Sequence, residues 1–323
     1  MGIKNLNKFL RENCSHRSIK KQSLSKFENK TIVIDTSIYL YRFMSENALM
    51  ENMYLLISIL LSFKMIPVFI FDGKPPPEKQ ALLKQRRLDK KTAEQKYQLL
   101  QRSLTLNTAS EDDKSEMLLE MEILRRQFIR ITENDVHAVK QLMDAYGVAH
   151  YDAPGEADQI CAYMVKSGMA WACLSDDMDM FLYGCPHVLR NISLINKTVL
   201  VYNTSAILSE LNMSDKVFRE IMILSGTDYN RNITWTLDDV LALYTQYSSS
   251  QKHIEPMEVG FYEWLFKHTD KIGEISDLER VYRLFDIDTA PFIDGINRLE
   301  LYNKRIQTEN ICNIMEREGF GFT

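Results

Sequence analysis

Paired cysteines, glycine and long apolar runs are what this chain is short of. The five cysteines, Cys14, Cys161, Cys173, Cys185 and Cys312, are odd in number, widely spaced and form no CxxC. That spacing excludes a disulfide framework and a zinc site and predicts a reduced, intracellular protein. The most apolar stretch, Met53 to Phe71, is interrupted by Lys64 and Pro67, so it reads as a buried helix followed by a strand and not as a membrane span. The opening MGIKNLNKFL has no apolar signal core, and Leu6 stands where a myristoylation motif requires Ser or Thr. No low-complexity tract or internal repeat is evident, and glycine is absent between Gly226 and Gly260. Basic charge is in deficit too, with a net charge of −5. A deficit of that size argues against a nucleic-acid partner only if the acids are spread evenly, and here they are not.

What is present is an ordinary globular composition, 45% hydrophobic and 26% charged over 323 residues, enough for one large domain or two smaller ones. Seven acids fall in five short clusters: Asp35 in TIVIDTS, Asp72 in PVFIFDGKPP, Glu156 and Asp158 in APGEADQ, Asp177 and Asp179 in LSDDMDM, and Asp228 in SGTDY. The first four clusters directly follow apolar runs that read as buried strands, at residues 31–36, 66–71, 147–151 and 170–174. The segments between these runs are long enough for helical crossovers, which predicts an α/β fold with a largely parallel central sheet and helices on both faces. Acids at the carboxyl ends of such strands converge in the crevice where these folds bind ligands. A single Asp after a strand is more often a turn former or a helix cap; four repetitions of the placement are not explained that way. Like charges held close need compensation, and an all-carboxylate shell suits Mg²⁺ or Mn²⁺, the ions of phosphodiester hydrolysis. A metal-dependent phosphoryl-transfer site is the first inference.

Between Asp72 and Glu156 lies a strand-free insertion, about 77–146, expected to form helices projecting over the carboxyl edge of the sheet. It holds the basic run KQRRLDKK at 84–91, an acidic loop or helix start at 110–116 and a helical pattern at 116–131. Lys79, Lys84, Arg86, Arg87, Lys90 and Lys91 begin only seven residues after Asp72. A basic run is ordinarily a solvated helix face, yet cations in that position are well placed to engage phosphate oxygens. Beyond Asp228 the chain reads as helical, with Ser248 to Ser250 as a brief polar hinge. The expected division is a core over 1–230 and a helical C-terminal region over 231–323 packed on it.

In order and spacing, MGIKNLNKFL, VIDTSIYLYRF, FIFDGKPP, APGEADQ, LSDDMDM and GTDY resemble the signature blocks of the structure-specific 5′ nucleases of the flap endonuclease and XPG type. The resemblance covers positions 1 to 229. It implies that Asp35, Asp72, Glu156, Asp158, Asp177, Asp179 and Asp228 bind two Mg²⁺ ions, with Mn²⁺ able to substitute. It implies that Lys79 and Arg86, at the foot of a helical arch, steer the scissile phosphate, and that a terminal base stacks on Tyr41. The Gly2 block is placed close to the active site; Lys84, Arg87, Lys90 and Lys91 are expected on the DNA from their place in the basic run. The implied partners are DNA flaps, gaps, free 5′ ends and junctions, met by a monomeric enzyme in the nucleus, or at a cytoplasmic replication site if the source is a large DNA virus.

Two departures stand out. The family's helix–hairpin–helix needs glycines for close approach of backbone to phosphate, and Trp235 and Leu237 stand where those glycines would fall. TLDD at 236–239 reads instead as a capped helix start, and the hairpin is expected to be degenerate or absent. The C-terminal end has no QxxLxxFF-type sliding-clamp box. A related ribonuclease or a small-phosphoester phosphatase would also use the acids, though the phosphatase leaves the basic insertion without a role. A non-catalytic DNA-binding scaffold would be expected to have lost an acid, and none of the set is missing.

Overall fold

The structure is a computed structural model describing residues 3, 5–105, 111–230, 235–251, 260–269, 274–288, 290, 292–297, 299 and 301–321. It opens with helix α1 (Leu6–Asn13) and strand β1 (Ile19–Ser23). The run TIVID follows as β2 (Thr31–Asp35), its Ile32, Val33 and Ile34 fully buried. β-Branched side chains suit a strand covered on both faces. Helices α2 (Thr36–Ser45) and α3 (Leu49–Ser62) lead to β3 (Ile66–Phe71). Among the described residues the insertion then forms helices and no strand: α4 (Gln80–Thr105), α5 (Glu111–Gln127) and α6 (Glu133–Tyr146). α6 begins with a reciprocal box in which Thr132 and Asp135 satisfy each other's backbone, and ends on Gly147 at φ 69°, a left-handed position that costs glycine nothing.

The chain continues through β4 (Ala149–Asp152), α7 (Ala157–Lys166), β5 (Ala172–Leu174), β6 (His187–Ser193), β7 (Thr198–Asn203), α8 (Thr204–Glu210) and α9 (Asp215–Leu224). Helices α10 (Leu237–Gln251), α11 (Phe261–His268), α12 (Ile275–Leu284), α13 (Ile293–Ile296) and α14 (Thr308–Arg317) complete it. The strands form one mixed sheet in the order β1-β7-β6-β5-β2-β3-β4. The β2–β3, β2–β5, β3–β4 and β5–β6 pairs are parallel; β1–β7 and β6–β7 are antiparallel.

Two compact units share the chain. Unit 1 comprises Met1–Asp35, Ile59–Lys74 and Ala149–Asn303 and holds the whole sheet; α7 packs on β2, β3 and β5, and α9 packs with α10, α11 and α12. Unit 2 comprises Thr36–Ser58, Pro75–Val148 and Lys304–Thr323; in it α4 lies along α5, and α14 packs on α6.

Several details differ from the sequence reading. Strands β1, β6 and β7 add an antiparallel wing that the four apolar runs left out. α5 ends at Gln127 and not near residue 131. Ser248 to Ser250 are no hinge but the last turns of α10, where the Ser250 hydroxyl donates to the Tyr247 carbonyl at 2.7 Å. All five cysteines are free, and burial pushes the Cys161 thiol up to about 11, so it stays protonated. Among the described residues no helix is long and apolar enough to cross a membrane.

Candidate active site

Strand order reverses at β2, which has β3 on one side and the later β5 on the other. The crevice beyond the carboxyl ends at such a switch is where α/β sheets take ligands. Asp35 is the last residue of β2, Asp72 follows β3, Glu156 and Asp158 open α7 after β4, and Asp177 and Asp179 follow β5. Asp228 follows α9 instead of a strand. All seven belong to unit 1.

The loops after β3 and β4 are pressed together. Gly73 N donates to the Gly155 carbonyl at 2.7 Å, and a Cβ on Gly73 would meet the Ala153 carbonyl oxygen at 1.9 Å. Only glycine permits that approach. Alongside it, Ala157 N at the start of α7 donates to Asp72 Oδ1 at 2.8 Å. Asp72 thus receives a helix amino terminus whose dipole favours a negative charge.

Asp35 is 4% exposed. Ser175 Oγ donates to its Oδ2 at 2.9 Å and accepts from Asp177 N at 3.1 Å, while Asp177 Oδ1 accepts from Asp179 N at 3.1 Å. One serine hydroxyl therefore joins the end of β2 to the acids after β5. Burial foremost, then the charges of Asp72 and Asp177, push the Asp35 carboxyl up to about 8, against hydrogen bonds from Ser175 and Asp158. A second cluster gathers at α7, where Tyr229 OH donates to Glu156 Oε2 at 2.5 Å. The fully buried Tyr183 lies close enough to Tyr229, Asp158 and Glu156 for their charges to add to burial in raising its phenol. Asp228 is carried by a locked turn, in which Asn230 Oδ1 accepts from Thr227 N at 2.7 Å and from Thr227 Oγ1 at 2.6 Å.

Asp176 is used differently from its neighbours. Its carboxylate accepts from Asn191 N at 2.7 Å, and its carbonyl accepts from the buried Arg190 Nη2 at 2.7 Å. Arg190 also donates to Asn7 Oδ1 at 2.8 Å, and Tyr202 OH donates to the same oxygen at 2.7 Å. The amino-terminal block is in this way tied to β6 and β7; Gly2 itself lies outside the described residues. Ser175 and Tyr229 lie inside the LSDDMDM and GTDY blocks, which carry no sign of their roles as hydrogen-bond partners of the acids, and Arg190 and Tyr183 lie outside the blocks altogether.

The nominated cations and Tyr41 lie in unit 2. Lys79 is buried, Arg86 half-buried, and Lys84, Arg87 and Lys91 are exposed on α4. Lys90 is more committed than a solvated phosphate ligand: its Nζ donates to the Ile129 carbonyl at 2.9 Å and lies 5.0 Å from the centroid of the Tyr41 ring. Tyr41 is 46% exposed.

Residues 1–93 match the XPG N-terminal domain and residues 147–228 the XPG I-region. Flap endonuclease 1 of Encephalitozoon cuniculi is 31% identical over 246 residues, 71% of this chain and 68% of that protein. The chain belongs to the flap endonuclease and XPG family. Membership makes it a structure-specific 5′ nuclease, as the order of its motifs implied. The fold extends the likeness beyond the matched segments. The catalytic core of Rad2 in complex with a DNA substrate aligns at a TM-score of 0.64 with 19% identity, covering 99% of this chain and 96% of that one. The Holliday junction-resolving enzyme GEN1, in complex with product DNA and a Mg²⁺ ion, aligns at 0.62 with 16% identity, covering 98% and 73%.

The donor set of the family's acids here is all oxygen, the chemistry of a hard divalent cation. A buried carboxyl with its pKa raised by neighbouring carboxylates is one that such a cation relieves. Among the described residues no three His, Cys, Asp or Glu are drawn into a cage tight enough to hold an ion. The residues fit the metal by chemistry and charge.

Proposed function

We propose that the seven acids hold two Mg²⁺ ions, with Mn²⁺ able to substitute, and that the nuclease acts on DNA at 5′ flaps, gaps, free ends or junctions. Asp35 carries the reading. It is a carboxylate buried at the topological switch with Asp72, Asp158 and Asp177 all acting on it, an arrangement that serves no evident purpose for a sheet and an obvious one for a divalent cation. The chemistry a divalent cation supplies there is polarisation of the phosphoryl oxygen and activation of water for in-line attack.

The chain's own residues do the rest. Ser175 holds Asp35 and the Asp177 backbone in fixed relation, and Tyr229 fixes one oxygen of Glu156. Outer partners of this kind orient metal-binding carboxylates. The assignment of Lys79 and Arg86 to the scissile phosphate rests on their distance from FDGKPP in the sequence. Hydrolysis then leaves a 5′-phosphate and a 3′-hydroxyl.

The experiment is cleavage mapping on end-labelled flap, gapped, nicked, blunt and four-way DNA, and on RNA of the same shapes, with Mg²⁺ and with EDTA. Cutting confined to Mg²⁺ and to branched or free-ended DNA is expected. Full activity in EDTA would remove the metal, and preference for RNA would transfer the assignment to a ribonuclease.

A further inference from the structure

Helices α9, α11 and α12 of unit 1 border a cavity of about 240 Å³ that shares no residue with the seven acids. Gly260, at the amino end of α11, brings no side chain to fill it. The rings of Tyr262 and Tyr282 line it, together with the carboxylates of Glu220, Glu263 and Glu279 and the cations Lys216 and Arg283.

Glu220 is the unusual member of that lining. It lies on α9 in the run Phe218–Leu224, every residue of which is buried, and is itself 5% exposed. A carboxylate taken out of water costs free energy unless it is paired and hydrogen-bonded. Among the described residues no hydrogen bond reaches the Glu220 carboxylate; Tyr262 OH donates to its backbone carbonyl instead, at 3.3 Å. Its ion pair is with Lys216 Nζ at 3.8 Å, and the Lys216 side chain is 70% exposed, so the pair contributes little. Burial pushes the Glu220 carboxyl up, against the opposing pull of Lys216. The rest of the lining does not make good the deficit. Glu279 meets Arg283 at 3.6 Å with both side chains exposed, and Glu263 forms no ion pair among the described residues. Three carboxylates against two cations leave the cavity negative. Tyr282 already carries one guanidinium, with the central carbon of Arg219 4.9 Å from the ring centroid.

We propose that this cavity receives one arginine side chain presented by a protein partner, its guanidinium paired with Glu220 and laid against the tyrosine rings. A guanidinium is planar, weakly hydrated and able to bond a carboxylate through two donors, which suits a buried acid beside aromatic faces better than an ammonium does. The volume favours a side chain over a whole ligand, since small-molecule sites begin at about 300 Å³. The exposed Glu263 and Glu279 steer a basic segment toward the opening, and the same negative charge turns away the phosphates of a nucleic acid. The site is therefore a contact for protein and not for DNA, and it stands whether or not the nuclease reading holds.

The test titrates the full chain with the blocked tripeptide acetyl-glycyl-arginyl-glycine amide and follows the methyl NMR signal of Ile275, which lines the cavity. A saturable shift is expected, and the counterpart with neutral citrulline in place of arginine should give none. Glu220→Gln should weaken tripeptide binding at least about tenfold, as loss of a hydrogen-bonded charge does, while raising the thermal unfolding midpoint, because an unpaired buried charge is removed. Lys216→Ala, at an exposed position that folding does not depend on, should tighten binding about twofold by removing a competing cation. Neither variant should alter cleavage in Mg²⁺. Absence of a saturable shift overturns the site, as does equal binding of the citrulline tripeptide. Wild-type affinity in Glu220→Gln overturns it too, and should that variant not fold, an affinity in Lys216→Ala no tighter than wild type does so in its place. Displacement of the arginine tripeptide by spermidine as effectively as by itself overturns it in favour of a general cation site.

Discussion

Burial and two neighbouring carboxylates raise the Asp35 carboxyl from its ordinary value of 3.8 to about 8, so in metal-free protein the folded state holds this proton more tightly than the unfolded state does. Stability linked to Asp35 is therefore present below pH 4 and is lost as pH rises toward 8. Thermal unfolding in EDTA should show that decline, and Asp35→Asn should flatten it and raise the midpoint at alkaline pH while abolishing cleavage. A variant that kept wild-type cleavage would take Asp35 out of the metal site. Tyr229→Phe removes the donor to Glu156 and should lower Mg²⁺ affinity by about 10–100-fold, with cleavage recovering at high Mg²⁺; a rate loss that added metal does not repair would point to a different role. The acids at strand ends could be read from sequence because each follows an apolar run locally. Ser175, Tyr229 and Arg190 could not, since their partners Asp35, Glu156 and Asn7 are 140, 73 and 183 residues away.

Elements whose pattern is local were legible in the same way. TIVID and IPVFIF announce β2 and β3, whereas β1, IKKQS, buries only its first residue fully, and β6 carries the buried Arg190 in its middle. An antiparallel wing with polar positions facing out reads as loop until its pairing is seen. The start of α10 was legible: Thr236 Oγ1 accepts from Asp239 N at 3.2 Å, and Asp239 Oδ2 accepts from Thr236 N at 2.9 Å. Asp239→Ala should cost about 1 kcal/mol in denaturant unfolding. Trp235 and Leu237 are buried at 9% and 4% exposure, so the positions where hairpin glycines would fall serve the core. Trp235→Gly should destabilise by about 3–5 kcal/mol, and gain of duplex affinity on installing glycines at 235 and 237, with stability unchanged, would contradict this placement. A further tie joins the end of α8 to the α1–β1 connection, with Glu210 accepting from Ser15 N at 2.5 Å and from Ser18 Oγ at 2.8 Å. These donors lower the Glu210 pKa. The tie holds above the ordinary glutamate range and is lost as pH falls through the lowered value, which amide exchange of Ser15 will report.

Neither unit of the molecule is continuous in sequence, and the last segment, Lys304–Thr323, belongs with the insertion and not with the helices just before it. It is fastened by Lys304 N to the Gly147 carbonyl at 2.7 Å and Gln307 N to the Ala145 carbonyl at 2.8 Å, with α14 packed on α6. A Cβ on Gly147 would lie 2.8 Å from the Lys304 backbone. Deleting 304–323 should therefore strip hydrogen-exchange protection from α6 and leave β2 and β3 protected; equal loss in both would make the molecule one cooperative body. The interleaving also dictates a schedule during translation. A ribosome that has made the acids and the basic helix α4 has still not supplied the piece that closes the second unit. The newborn polypeptide thus carries every residue assigned to cutting before residues 304–323, the support for its insertion, have been made.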